Sequence, residues 1–200
     1  DRSCDKWSEA VKSIVVQRFT NPFKGQWCLP GTFLRSDDAD ATETIKRLLS
    51  TRLGVKDVDN GIVIKLLSAF TGLQRDPRGQ VVSLAYVVYL KDGMSRVVRQ
   101  HGVDWVSVAE LEDTDLAFDH NDIVDAAMKR IRDTFTYEPD VFMTLPDSFL
   151  MSDAFRIRES LFYDKKFDAN TRKNFRKHYA ELWTKIGNVN PNDPHSPTIL

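Results

Sequence analysis

GTFLRSDDADATETIKRLLSTRLGV, residues 31–55, is the stretch that decides the fold. Pro30-Gly31 makes a turn and an Asp-rich loop follows. Ala41, Ile45, Leu48, Leu49 and Leu53 then recur at helical spacing until Gly54 supplies a C-terminal stop. The spacing predicts an amphipathic helix over 41–53. Its frame is that of a metal-binding helix without the carboxylates that would hold the metal.

The rest of the chain bounds what such a helix can serve. Two hundred residues bury one solid core, or one medium domain and a small one. The formal net charge is -1, so bulk charge favours neither nucleic acid nor a membrane surface, and any electrostatic binding must come from local clustering. No apolar run approaches the roughly 18 residues of a membrane span. Cys4 and Cys28 make neither a metal spacing nor a disulfide framework, which points to a reduced, cytoplasmic setting with Cys28 as a small buried hydrophobe.

Strands are expected at SIVVQRF (13–19), WCL (27–29), GIVIKLLSAF (61–70), VVSLAYVVYL (81–90) and VDWVSV (103–108). The two longest bracket a Pro/Gly-rich loop, TGLQRDPRGQ. Asp119 and Asp122 suit the start of a helix reaching about Ile131, with Asp119 as its cap. Strands and helices in this order indicate an α/β sandwich, not a parallel βαβ series. After Thr134, TYEPDVFMTLPDSF has two prolines and no periodicity, which suits a linker. Ser152 is the expected cap of a helix through Tyr163. YDKKFDAN turns, and a second helix runs from about Asn170 to Ile186. Phe175, Tyr179, Leu182 and Ile186 form its apolar stripe; Arg172, Lys173, Arg176 and Lys177 supply positive charge. The tail, NVNPNDPHSPTIL, is expected to be irregular.

WCLPGTFLRSDDADATETIKRLLSTRLG resembles the Nudix signature, in which W-x-L-P-G-G and a loop precede R-E-U-x-E-E-x-G with U apolar. Anchored on Gly54, the family arginine falls on Arg47 and the apolar position on Leu49, with about one extra loop residue. The three glutamates fall on Leu48, Thr51 and Arg52, and the second turn glycine on Thr32. In Nudix hydrolases those glutamates hold Mg²⁺, a hard cation that takes oxygen ligands. Two unit charges about 4 Å apart at an effective dielectric near 20 interact by about 4 kcal/mol, and a divalent ion doubles this to about 8. Arg52 repels by that order where a glutamate would attract, so no catalytic metal is expected on this helix. The helix is then either scaffold alone or the wall of a surviving diphosphate site. Relocation of a metal to Asp37, Asp38, Asp40 or Glu43 is a further alternative.

LQRDPRGQVVSLAYVVYL (73–90) resembles the R-D-P-R-G segment of ADP-ribose-type Nudix proteins and of the Nudix-related transcriptional regulators. Arginines flanking a rigid proline can pair bidentately with phosphate, although arginines at loop tips are commonly just solvated. LAFDHNDIVDAAMKRIR (116–132) is similar to a segment of the same regulators, with His120 placed to donate to an anion or simply to pack. Trp27 and Trp105 sit at family strand positions, where each either stacks on a base or packs.

The regulators also carry a C-terminal winged helix, and KNFRK (173–177) matches the opening of its recognition helix, although no clear wing hairpin follows Gly187. The resemblance therefore implies a Nudix-type α/β/α sandwich with a mixed sheet (1–136) and a small winged-helix domain (137–200). It implies a transcriptional regulator, acting in NAD metabolism or sugar utilisation, without catalytic residues, metal or cofactor. Its effector would be ADP-ribose, a related nucleotide diphosphate or a sugar metabolite, held by Arg18, Trp27, Arg47, Arg75, Asp76, Arg78 and His120. Its second partner would be double-stranded operator DNA, bound by a homodimer through Arg172, Lys173, Asn174, Arg176 and Lys177. The alternatives are a pyrophosphohydrolase of a nucleoside diphosphate derivative with displaced metal ligands, and a protein-interaction module with neither ligand nor DNA.

Overall fold

The computed structural model describes residues 11–91, 102–162 and 169–183. Strand β1 (Lys12–Gln17) is the centre of a three-stranded sheet, flanked by β2 (Trp27–Cys28) and β5 (Val103–Ser107). β3 (Ile62–Phe70) and β4 (Ser83–Leu90) form a separate pair with an irregularity between Leu66 and Ser68. All of these pairings are antiparallel, so the parallel component of a mixed sheet does not appear among the described residues.

Strand alternation creates the layers. Consecutive side chains of β1 point to opposite faces. Ile14 enters a cluster with Leu49, Leu53 and Val55, contributed by helix α1 (Ala41–Arg52) and the turn after it. Val15 enters a larger cluster built from α2 (Val108–Glu112), α3 (His120–Thr134), α4 (Met151–Phe162) and α5 (Ala169–His178). Helices on both sides of β1 make the expected sandwich. No described helix is long and apolar enough to cross a membrane.

The helix starts have identifiable chemistry. Asp40 caps α1, its side chain accepting from the Glu43 N–H at 2.9 Å. VDWVSV ends as a strand at Ser107, because Ser107 and Glu110 form a reciprocal capping box that starts α2 at Val108. Asp119 does not cap α3: both its carboxylate oxygens are taken by Arg75. Ser152 does not cap α4 either; that helix begins at Met151, and the Asp153 carboxylate accepts from the Leu150 N–H at 3.0 Å.

The expected linker after Thr134 is packed. Asp140–Thr144 forms a 3-10 helix that buries Val141 and Phe142. Phe142 meets Phe135, Phe175, Tyr179 and Trp183 edge to face, with ring centroids 5.2–5.9 Å apart. Lys65 of β3 pairs with Asp140 at 2.6 Å and Glu138 at 3.1 Å, so the same segment is also fixed by charge. One apolar cluster consequently runs from Val15 to Tyr179, across the expected 136/137 boundary.

α5 ends at His178, short of Ile186. The chain then turns, which leaves Leu182 56% exposed and places Trp183 against the core in its stead. Ile186, the 163–168 turn, Cys4 and the tail with any wing lie outside the described residues.

Phe142→Ala removes the centre of the aromatic cluster and is expected to destabilise the chain by about 3–5 kcal/mol in urea denaturation. Tryptophan fluorescence and far-UV signals should shift together, because the cluster joins both ends of the chain. A loss below about 1 kcal/mol would contradict this packing.

Candidate ligand cleft and nucleic-acid interface

The positions aligned with the family glutamates hold no cation cage. Leu48 is buried, the Thr51 hydroxyl donates to the Arg47 carbonyl at 2.6 Å, and Arg52 reaches only the Gly31 carbonyl at 3.5 Å. Arg47 faces Asp38, donating Nε–H at 2.7 Å and Nη2–H at 2.6 Å, and also donates to the Phe33 carbonyl at 3.0 Å. Asp38 further accepts from Thr44 Oγ1 and from the Arg35 N–H, both at 2.8 Å. The hydrogen bonds from Arg47, ahead of those from Arg35 and Thr44, hold the Asp38 carboxyl well below the usual range.

Of the four acids of the relocated-metal alternative, three are already engaged. Asp38 is turned to Arg47, Asp40 to the helix start, and Glu43 to Lys46 at 3.1 Å. Among the described residues no group of three or more His, Cys, Asp or Glu is arranged to hold a metal ion. The donor set around α1 does not fit Mg²⁺.

A second cluster forms where the β3–β4 loop meets the start of α3. Arg75 is not an open phosphate contact. Its side chain is 5% exposed, donates to Asp119 at 2.8 and 2.6 Å, and donates to Ser83 Oγ at 2.6 Å. Arg78 is different: half exposed at 49%, it forks onto buried Asp76 through Nε and Nη2 at 2.9 and 2.6 Å. Hydrogen bonds from Arg78 lower the Asp76 pKa to about 2. Arg18 donates Nε–H to the Pro22 carbonyl at 2.7 Å, and its guanidinium lies 4.5 Å from the Phe118 ring centre. Arg78 lies 5.6 Å from the same centre.

His120 accepts at Nδ1 from the Leu29 N–H at 2.9 Å, so that nitrogen is unprotonated and offers no proton to an anion. Burial lowers its pKa to about 4. Burial also pushes the Cys28 thiol up, against the pull of Arg18. Trp27 packs against the larger cluster and Trp105 against the smaller, with the Trp105 indole N–H buried and lacking an acceptor. Arg18, Asp76, Arg78 and His120 therefore converge around Phe118, Arg75 braces them, and Arg47 lies with α1. The sequence reading missed Phe118 and Phe23, whose backbones are both left-handed (φ 64° and 63°) and whose rings meet edge-on at 4.8 Å. No local sequence signal announces a left-handed phenylalanine.

On α5, Phe175 is buried and Lys173, Asn174, Arg176 and Lys177 are exposed. Arg172 is half-buried, its guanidinium 5.3 Å from the Phe155 ring centre, and Arg176 also reaches that ring at 5.5 Å. Arg172 thus contributes to packing as well as charge, while Lys173, Asn174 and Lys177 face outward.

The NUDIX domain family model matches residues 8–127. The chain belongs to the Nudix family. It is 24% identical to the ADPR responsive transcriptional repressor NtrR of Acinetobacter baylyi, over 74% of this chain and 59% of that protein. It is 30% identical to an ADP-ribose pyrophosphatase of Methanocaldococcus jannaschii, over 59% of this chain and 66% of that protein. The chain thus spans less than two thirds of the length of either relative. The Nudix fold superposes on Shewanella oneidensis NrtR with a TM-score of 0.77 at 23% identity, covering 96% of this chain and 86% of that one. A MutT/nudix protein of Enterococcus faecalis gives 0.70 at 23%, over 88% and 77%. The fold is the one expected from the sequence, a Nudix sandwich continued by helices in a winged-helix arrangement.

Two acid-linked effects follow from the cleft. Unfolded His120 protonates near pH 6.5 and folded His120 only near 4, so its contribution is full above about 6.5 and is lost as pH falls toward 4. Asp76 behaves likewise at lower pH, contributing fully above about 4 and losing that contribution as pH falls to about 2. In thermal melts across pH 3–7, His120→Gln should flatten the dependence between about 6.5 and 4 relative to the parent. A parental slope retained in the variant would contradict the buried neutral imidazole.

Proposed function

We propose that the chain is a ligand-responsive transcriptional regulator in which a Nudix sensor without catalytic machinery (1–136) controls a winged-helix DNA-binding domain (137–200). The observation that carries this is the combination, in one chain, of a Nudix helix whose glutamate positions hold Leu48, Thr51 and Arg52 and an outward basic row on α5. A cleft that grips phosphates but holds no Mg²⁺ binds without cutting. A helix end presenting Lys173, Asn174, Arg176 and Lys177 suits phosphate and base contacts in a major groove. The relatives support the reading: one is described as an ADPR responsive repressor, and NrtR has been crystallised with a 27mer DNA.

The effector in this reading is ADP-ribose, a related nucleotide diphosphate or a sugar metabolite, held around Arg18, Asp76, Arg78 and His120. The protein works in the cytoplasm as a homodimer whose two α5 helices read a palindrome. Communication runs along α3. At its start Asp119 is clamped by Arg75. At its end Arg132 donates to the Leu161 carbonyl of α4 at 2.5 Å, and Tyr179, one residue past α5, donates its hydroxyl to the Phe135 carbonyl at 3.1 Å. Effector binding that shifts the β3–β4 loop moves both DNA-binding helices, a coupling typically of about 1–3 kcal/mol.

A gel shift against the protein's own promoter region, repeated across salt concentrations, tests this. Lys173→Ala with Lys177→Ala should weaken binding to all sequences and reduce the salt slope by about one per lost phosphate contact. No retardation at low salt, or an unchanged slope, would remove the assignment. The M. jannaschii relative favours a second reading, pyrophosphohydrolysis. Incubation with ADP-ribose and Mg²⁺ or Mn²⁺ is expected to give no turnover, and sustained turnover would establish the enzyme instead.

A further inference from the structure

We infer that Lys65 is an electrostatic clasp that holds the strap between α3 and α4 (residues 135–150) against the β3–β4 ribbon, so that the placement of α5 follows the ribbon. As a regulatory device the clasp rests on the regulator reading above; as a structural one it does not.

Lys65 lies within β3, opposite Val87 of β4, and its ammonium reaches from the sheet to the strap. There it pairs with Asp140 at 2.6 Å and donates to Glu138 at 3.1 Å, and Arg130 of α3 lies 3.7 Å from Glu138. At the end of the ribbon Lys91 pairs with Asp147 at 2.6 Å, so lysines meet the strap on both sides of its 3-10 helix. The two contacts differ in weight. Asp147 is 85% exposed, and a pair so open to water contributes little. Asp140 is 22% exposed and shares its lysine with a second acid. Tyr89 packs on the same side of the ribbon; burial, with Asp140 close by, pushes its hydroxyl up to about 12, so it adds no charge to the group.

The strap carries this contact on to α5. Asp140 and Phe142 belong to one short 3-10 helix: Asp140 meets Lys65, and the Phe142 ring meets Phe175 and Tyr179 at 5.9 and 5.4 Å. The same turn thus has charge toward the sheet and aromatic packing toward α5. The other end of the ribbon opens into the loop that holds Arg75 and Arg78. A register shift between Leu66 and Ser68 bends the ribbon immediately beyond Lys65, so a change in the loop re-aims the strand beside the clasp. The two attachments of the strap also differ in physics. Salt does not weaken apolar packing, whereas it screens a partly exposed ion pair, the Debye length falling to about 3 Å at 1 M. The clasp is therefore the part of this joint that opens without unfolding the rest.

Hydrogen exchange of the full chain, read by mass spectrometry at low salt and at about 1 M, tests the clasp. Lys65→Met keeps the stem and removes the charge; Lys65→Arg keeps the charge. At low salt the methionine variant should exchange the strap amides about five-fold faster than the parent, with α1 unchanged, and the arginine variant should keep the parental rate. Salt at about 1 M should bring the parent to the rate of the methionine variant. Parental strap exchange in Lys65→Met overturns the clasp, and so does faster exchange throughout the chain, which marks a merely structural lysine. In the gel shift above, the ratio of DNA affinities with and without ADP-ribose should move toward one in Lys65→Met and stay parental in Lys65→Arg. A parental ratio in Lys65→Met, with its strap loosened, overturns the regulatory role. A parent that shifts no DNA removes the regulator reading instead, and the exchange rates alone then decide the clasp.

Discussion

The ion pair between Arg75 and Asp119 is the constraint on which the architecture of the cleft depends. It joins a loop between two strands to the start of a helix 44 residues later, and both side chains are largely withdrawn from water. Two parallel N–H···O bonds fix the guanidinium in a plane, and Ser83 takes a third donor. Breaking one side of such a pair leaves a buried charge and costs roughly 3–5 kcal/mol. The geometry is therefore rigid in a way that an exposed pair is not. It sets where Phe118 lies, because Phe118 immediately precedes Asp119, and it sets where α3 begins.

From that origin α3 runs to Thr134, packed against α2, β3 and α4. Asn121 ties the approach to the helix, accepting from the Leu116 N–H at 2.9 Å and donating to the Thr114 carbonyl at 2.7 Å. Fourteen residues beyond Asn121, Phe135 joins the aromatic cluster that holds α4, α5 and the 3-10 helix. A displacement at one end of a stiff helix reaches the other end only if both ends are anchored. Here they are, by charge at the start and by aromatic packing and backbone-directed bonds at the end.

Sequence legibility followed the range of the interaction. α1, β3, β4 and the body of α3 were legible because apolar period, Gly54 and the loop prolines are local signals. The Asp76–Arg78 contact spans two residues, yet the sequence showed only a cationic fork, because charge count does not reveal which guanidinium turns inward. Arg75 went inward because Asp119 is there to meet it, and that partner is set by tertiary folding. The same holds for Phe142: a stretch with two prolines and no periodicity reads as a linker, but a single turn of 3-10 helix buries two large side chains without needing any period. Asp119 and Ser152 looked like caps because their residue types favour that role, and long-range pairing or a neighbouring Asp prevailed.

The charge arrangement around this Nudix fold follows the same rule of paired groups. Three arginines each face a carboxylate: Arg47 with Asp38 beside α1, and Arg75 with Asp119 and Arg78 with Asp76 at the β3–β4 loop. Every one of these acids is a potential metal ligand in the abstract, but a carboxylate already accepting a bidentate guanidinium has little affinity left for a hard cation, and the guanidinium repels the ion directly. The same pairing leaves the cleft close to electrically balanced before any ligand arrives. The three guanidiniums differ in how far they are withdrawn from water. Arg47 and Arg75 are 18% and 5% exposed, and Arg78 is 49%. Arg78 is thus the one of the three whose guanidinium stays open to water while it holds its acid.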